Sequence, residues 1–169
     1  KELDHALRNG AAGVGLFRTE LLYMDRDTLP NEDEQFEVYR EAAAKLDGKP
    51  LVIRTLDIGG DKHLGYISLP EEDNPYLGYR AIRFSLDRRD LFKTQLKAIL
   101  RASYFGNVKI LYPMISSLEE LWQANEVLEL AKRELRAAGQ PFNENVEIGI
   151  MIEVPAAVAI ADLLAQEVQ

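Results

Sequence analysis

Three arginines and one glutamate recur at the same kind of place in this sequence, where a short apolar run gives way to polar residues. Arg18 follows residues 13–17, Arg54 follows 51–53, Arg80 stands beside 80–86, and Glu153 follows 147–152. Guanidinium groups are forked donors that match phosphate or carboxylate oxygens in pairs, which a lysine ammonium does not. A single carboxylate on the same rim suits a hard cation such as Mg2+, which takes one or two protein carboxylates and leaves its other positions to substrate oxygens and water. Phosphate together with Mg2+ is the chemistry this set of residues points to. The plainer reading of each residue is an ion pair or a cap. Glu20 stands near Arg18 in sequence and Asp57 near Arg54, and Glu153 could cap a helix that follows it.

The other residues with chemical potential give weaker signals. Gly59 and Gly60 can form a backbone nest for an anion or simply a turn. His5 falls on a short helix and His63 in a loop, both expected to be solvated. Phe36, Tyr39, Trp122 and Leu128 read as core or helix-packing groups.

The elements that must position these residues alternate along the chain. Residues 2–9 read as a short helix ended by Gly10, and 13–17 as a buried strand. Asn31 caps a helix with Glu32, Asp33 and Glu34 in its first turn, running to Leu46 before Gly48. A strand at 51–53 is followed by a glycine-bearing loop and by an irregular stretch over 68–79 that holds Pro70, Pro75 and Gly78. Residues 80–86 suit either a short strand or a helix start; strand is the expectation, because Asp87 then caps a helix over 88–105. A strand at 108–112, a helix from the Ser117–Glu120 capping box to Ala138, a strand at 147–152 and a helix from Pro155 complete the order.

Five strand-helix alternations with almost wholly apolar strands give an α/β class with a parallel sheet covered on both faces. Pattern alone leaves an open doubly wound sheet and a barrel equally possible, since both collect ligands at strand C-terminal ends. Composition agrees with a globular domain: 47% hydrophobic and 28% charged residues exclude a disordered chain. A net charge of −8 argues against a nucleic-acid partner or an anionic membrane, so an anionic ligand needs a local positive cluster. Zero cysteines remove disulfides, thiolate metal sites and a cysteine nucleophile. No apolar run approaches the ~18 residues of a membrane span and no leader is legible, so a cytoplasmic protein is expected.

Five ordered stretches carry a family resemblance. They are Gly13-Val-Gly-Leu-Phe-Arg-Thr-Glu-Leu-Leu-Tyr-Met-Asp-Arg26, Ile53-Arg-Thr-Leu-Asp-Ile-Gly-Gly-Asp-Lys62, Asn74-Pro-Tyr-Leu-Gly-Tyr-Arg-Ala-Ile-Arg83, Ile110-Leu-Tyr-Pro-Met-Ile115 and Gly149-Ile-Met-Ile-Glu-Val-Pro-Ala156. Together they resemble the phosphoenolpyruvate-binding domain of the enzyme I family of the bacterial sugar phosphotransferase system. Pyruvate phosphate dikinase and phosphoenolpyruvate synthase, of the same superfamily, are the alternative enzymes, and a non-catalytic dimerisation or regulatory module is the alternative of another class.

The resemblance implies a (β/α)8 TIM barrel whose rim binds phosphoenolpyruvate and Mg2+. It assigns Arg18, Arg54 and Arg80 to phosphoenolpyruvate and Glu153 to the metal. It also implies a homodimer, and phosphoryl transfer to a histidine on a separate N-terminal domain and onward to the carrier HPr. The family's phosphorylated-histidine motif is not found here, nor its Asn-Asp pair, its later arginine or its cysteine acid. Residues 1–169 are therefore expected to be the N-terminal part of the barrel domain, about five of eight units, with no complete second domain, no catalytic residue of their own and the first and fifth strands left as open edges.

Overall fold

The structure is a computed structural model that describes residues 2–24, 26–60, 65–67 and 69–169. Its elements, in chain order, are α1 Glu2–Arg8, β1 Val14–Arg18, α2 Glu32–Leu46, β2 Leu51–Arg54, α3 Ile82–Asp87, α4 Arg89–Ala102, β3 Val108–Tyr112, α5 Leu118–Ala137, β4 Ile148–Ile150, α6 Pro155–Ala159 and α7 Ala161–Leu164. Single 3-10 turns follow β1 at Glu20–Leu22 and α4 at Ser103–Phe105. His63 and residues Asp61 and Lys62 of the glycine loop lie outside the described residues.

Local chemistry explains the helix boundaries. Asn31 and Glu34 form a complete capping box: Asn31 Oδ1 accepts from the Glu34 N–H at 3.0 Å, and Glu34 Oε2 accepts from the Asn31 N–H at 2.8 Å. At α5, Ser117 Oγ accepts from the Glu120 N–H at 3.2 Å, while the Glu120 carboxylate turns to Ser116, accepting from its N–H at 2.7 Å and its hydroxyl at 2.8 Å. Pro155 sits in the first turn of α6, where its missing N–H costs no intrahelical bond.

Among the described residues the sheet holds four parallel strands in the order β1-β2-β3-β4. The expected strand at 80–86 is not there. Leu51 of β2 pairs with Val108 of β3, Ile53 with Ile110 and Arg54 with Leu111, so no place between them is left for a further strand. Residues Ile82–Asp87 instead form α3, which buries Ile82, Phe84 and Ser85. Asp87 ends that helix and accepts a 2.5 Å hydrogen bond from the Tyr79 hydroxyl; it does not cap α4, whose preceding residue Arg88 makes no side-chain cap.

Sequential strand order bears on what pattern left open. Right-handed crossovers between strands that follow one another in one direction place every connecting helix on the same face, whereas a doubly wound sheet reverses direction and places helices on both. Here α4 packs between α2 and α5, and the main core forms where Tyr39, Leu46, Phe92, Leu96, Ile99, Leu128 and Leu135 meet Leu51, Ile53, Val108 and Ile110. The opposite face carries Leu16, Val52, Lys109 and Leu111, exposed or half-buried. The sheet is thus covered by helices on one face, not two. β1 and β4 each pair on one side among the described residues. A second, smaller core of Tyr23, Leu56, Ile58, Phe84 and Leu91 gathers beyond the strand ends and anchors the loops there.

Among the described residues no helix is long and apolar enough to cross a membrane. Of the aromatic and aliphatic groups expected to pack, Tyr39 and Leu128 are buried and Phe36 is half-buried; Trp122 is half-exposed and donates its indole N–H to Glu167 at 3.3 Å.

Candidate functional site

Parallel strands that all run one way deliver their last residues to one edge of the sheet. Arg18 is the final residue of β1 and Arg54 the final residue of β2, and the two are register partners. The Arg18 side chain is exposed and makes no hydrogen bond or ion pair among the described residues. With Leu3, Ala6, Val14, Leu16, Phe17 and Leu21 it lines a cleft of about 570 Å³ between α1 and β1.

Arg54 is enclosed, with 7% of its side chain exposed, between two buried carboxylates. One amino group donates to Glu20 and lies 3.2 Å from Asp57 Oδ2. The other donates to the Met151 sulfur at 3.8 Å, and Nε is buried without a hydrogen-bond partner among the described residues. A guanidinium removed from water needs such partners, because an uncompensated buried charge costs several kcal/mol. The plain reading of Arg54 as an ion-pair partner of Asp57 is therefore realised, while Glu20 serves Arg54 and not the Arg18 beside it.

Arg80 reaches the same carboxylate. Its Nε and one amino group both donate to Asp57 Oδ1, at 3.0 and 2.7 Å, and its other amino group donates to the Tyr76 carbonyl at 3.4 Å. Asp57 thus holds two arginines, one on each oxygen. Gly59 makes this seat possible. At φ +116° it occupies a backbone region open to glycine, and a Cβ there would stand 2.3 Å from Arg80 Cβ. Its neighbour Gly60 has φ +65°. On the other side of Arg80, Ala81 has φ 52° and donates its N–H to the Ile58 carbonyl at 3.0 Å. A non-glycine residue held there stores roughly 1–3 kcal/mol of strain, which persists only where the surroundings over-determine it.

Glu153 lies three residues past β4, exposed. Its Oε1 accepts from the Met114 N–H at 2.8 Å, and Met114, just past β3, also has positive φ, 59°. One carboxylate oxygen is so oriented by the neighbouring strand end. The structure brings Arg54 and Arg80 into direct contact with one group, sets Arg18 beside Arg54 in the ladder, and puts Glu153 at the β3–β4 end of the same edge. Among the described residues no group of three or more acidic or histidine side chains is arranged to hold a metal ion. His5 is exposed on α1, as expected.

Beneath these residues lies a buried polar network that sequence reasoning passed over. Gln95 of α4 accepts from the Leu56 N–H at 2.9 Å and donates to the Thr19 and Tyr39 hydroxyls at 3.2 and 3.3 Å; Thr19 in turn donates to the Arg54 carbonyl at 3.0 Å. Burial pushes the Tyr39 hydroxyl well up from its ordinary value, with the Gln95 hydrogen bond pulling it partly back, so it stays a neutral donor. The signal that could have found Gln95 is its place among Leu91, Phe92, Leu96 and Ile99, a polar residue on an otherwise apolar helical stripe.

The family model described as "PEP-utilising enzyme, PEP-binding domain" matches residues 1–169, the whole chain. The chain belongs to that family. Relatives of this PEP-binding domain include the phosphoenolpyruvate-protein phosphotransferase of Latilactobacillus sakei, 53% identical over 168 residues that make up 99% of this chain and 29% of the relative. The protein of the same name in Listeria monocytogenes is 53% identical over 167 residues, and that of Haemophilus influenzae 51% over 168, with the same shares covered. The PEP-binding domain described here thus spans about 29% of the length of the curated relatives it matches.

Proposed function

We propose that this chain is the N-terminal part of the barrel of a cytoplasmic phosphoenolpyruvate-protein phosphotransferase, and that it supplies Arg18, Arg54 and Arg80 to phosphoenolpyruvate and Glu153 to Mg2+. The observation that carries the reading is the meeting of Arg54 and Arg80 on Asp57, beside Arg18, at the strand C-terminal edge of a chain whose relatives bear that name. Supporting the barrel is the one-sided helix layer over strands in sequential order; the half-buried face with Leu16, Val52 and Leu111 becomes the lumen, and β1 and β4 receive the strands that close it.

In this reading the residues divide the work by their surroundings. Arg54, fixed between Glu20 and Asp57, is a positive group that does not reorganise when an anion arrives. Arg18, with donors uncommitted among the described residues, is the group that closes on the phosphate oxygens. Arg80 is held in the same cluster by its two bonds to Asp57. Glu153 fits Mg2+ as one oxygen ligand, because its second oxygen is not taken by the Met114 bond and the ion accepts a single protein carboxylate when substrate phosphate and water fill the rest. When bound, the ion adds Lewis-acid neutralisation of charge on the transferring phosphoryl group. The phosphoryl group then passes to a histidine of a separate domain and on to HPr, within a homodimer.

A calorimetric titration of the chain with phosphoenolpyruvate, with and without Mg2+, tests the proposal, with Arg18→Ala as control because that side chain is exposed. Mg2+-dependent binding that weakens in the variant is the expected result. Binding that ignores both the ion and Arg18 overturns it.

A further inference from the structure

Gln95 is fully buried in the middle of α4, on the stripe that faces the sheet. A carboxamide in a core costs free energy unless its atoms are hydrogen-bonded, and an apolar side chain of the same length would fill the space without that demand. Here the groups of Gln95 are used, and used in one direction. Oε1 takes the N–H of Leu56, which lies between Arg54 and Asp57, while Nε2 gives to the hydroxyl of Thr19, which lies between Arg18 and Glu20. The Thr19 hydroxyl in turn donates a hydrogen bond to the carbonyl of Arg54. Tyr39 of α2 completes the set: it accepts from Nε2 at 3.3 Å and donates to Gln35 Oε1 at 3.3 Å, which also accepts from the Tyr23 hydroxyl at 3.0 Å.

We infer that Gln95 is a positioning residue of the anion site: one side chain of the helix layer ties the end of β1 to the end of β2, and so sets Arg18 and Glu20 against Arg54 and Asp57. The inference rests on the proposed phosphoenolpyruvate reading for the identity of the anion. The β1–β2 ladder, whose register is interrupted between Val14 and Phe17, resumes with the Phe17–Ile53 and Arg18–Arg54 pairs and ends there, before Thr19 and Glu20 on one segment and Leu56 and Asp57 on the other. Past that last pair, the two polar ends are joined by the buried Arg54–Glu20 ion pair, by the Thr19 bond to the Arg54 carbonyl and, from the helix layer, by Gln95.

The test compares phosphoenolpyruvate affinity in the presence of Mg2+ with melting temperature, every titration being run well below the melting range of each variant. Gln95→Met keeps the volume and removes the bonds. Thr19→Val removes the link to β1 while leaving the Gln95 bonds to Leu56 and Tyr39 intact, and it decides the matter if Gln95→Met does not fold. Each is expected to weaken binding about tenfold, the scale of one lost buried hydrogen bond. The double variant is expected to be no weaker than the weaker single one, since both cut the same chain. Ala98→Gly, a buried position of the same helix that makes no side-chain hydrogen bond, lowers the melting temperature and is expected to bind as the unaltered chain does.

Affinity of Gln95→Met and Thr19→Val within about twofold of the unaltered chain, or a loss matched by Ala98→Gly, overturns the inference. Failure of the underlying reading looks different: the unaltered chain then shows no binding that depends on Arg18, and both readings fall together.

Discussion

Arg18 and Arg54 are register partners at the ends of neighbouring strands, yet one guanidinium is exposed and the other is nearly closed off from water between Glu20 and Asp57. The contrast separates two tasks that sequence cannot tell apart. An arginine whose charge is already balanced by buried acids is a fixed part of the scaffold's electrostatics, and an arginine in water is available to a ligand.

Their variants should therefore divide. Arg18→Ala is expected to leave urea-unfolding stability within about 0.5 kcal/mol while weakening phosphoenolpyruvate binding. Arg54→Met removes the cation that lies between the buried carboxylates of Glu20 and Asp57 and is expected to cost about 3–5 kcal/mol. Equal stability losses in the two variants would contradict the assignment of roles.

Gly59→Ala is expected to displace Arg80, because the new Cβ would stand 2.3 Å from Arg80 Cβ and 2.9 Å from its Cα, at a φ that disfavours side chains. The cost is expected at about 1–3 kcal/mol, the range for backbone strain of this kind. Gly10→Ala, where φ is +84° and a Cβ would meet nothing within 4 Å, supplies the comparison. If the variants lose the same stability and the same affinity, the contact with Arg80 is irrelevant.

Glu153→Gln keeps a carbonyl oxygen that can accept from the Met114 N–H but removes the charge. The melting temperature is expected to hold while Mg2+ affinity, measured by titration of the ion in the presence of phosphoenolpyruvate, falls about tenfold, roughly 1.4 kcal/mol. Unchanged Mg2+ affinity removes Glu153 from the metal.

Acid stability should report the cap of α2. The Asn31 backbone N–H, and after it the Arg26 side chain, hold the Glu34 carboxyl below its ordinary value of 4.5. A carboxyl depressed in the folded state contributes stability that is present above the unfolded value and is lost as pH falls through the folded one. Glu34→Gln can still complete a capping box but does not titrate. The stability advantage of the unaltered chain over this variant, measured by urea unfolding, is expected near neutral pH and should close as the solution is acidified through and below 4.5. A gap independent of pH assigns the effect to packing.

Much of this molecule was legible in local pattern. The caps at Asn31 and Ser117, the apolar runs that became β1 to β4, and the polar residues that close them depend on neighbours a few positions away, and all of these appear in the structure. The family was legible too, through five ordered stretches that span the chain. Residues 80–86 misled because their local pattern admits both strand and helix, and what settled them was the direct pairing of β2 with β3, contacts made by segments more than 50 residues apart.

The partners of the site residues lay beyond sequence for the same reason. Asp57 meets Arg80 across 23 positions, Glu20 meets Arg54 across 34, and Gln95 reaches Thr19 across 76. Residue types and spacing established that arginines and a carboxylate would collect where parallel strands end. Which arginine is enclosed, which carboxylate two of them share, and which glutamine holds the strand ends together depend on how the helices close over one face of the sheet. That closure is set by packing between distant segments, and no local periodicity encodes it.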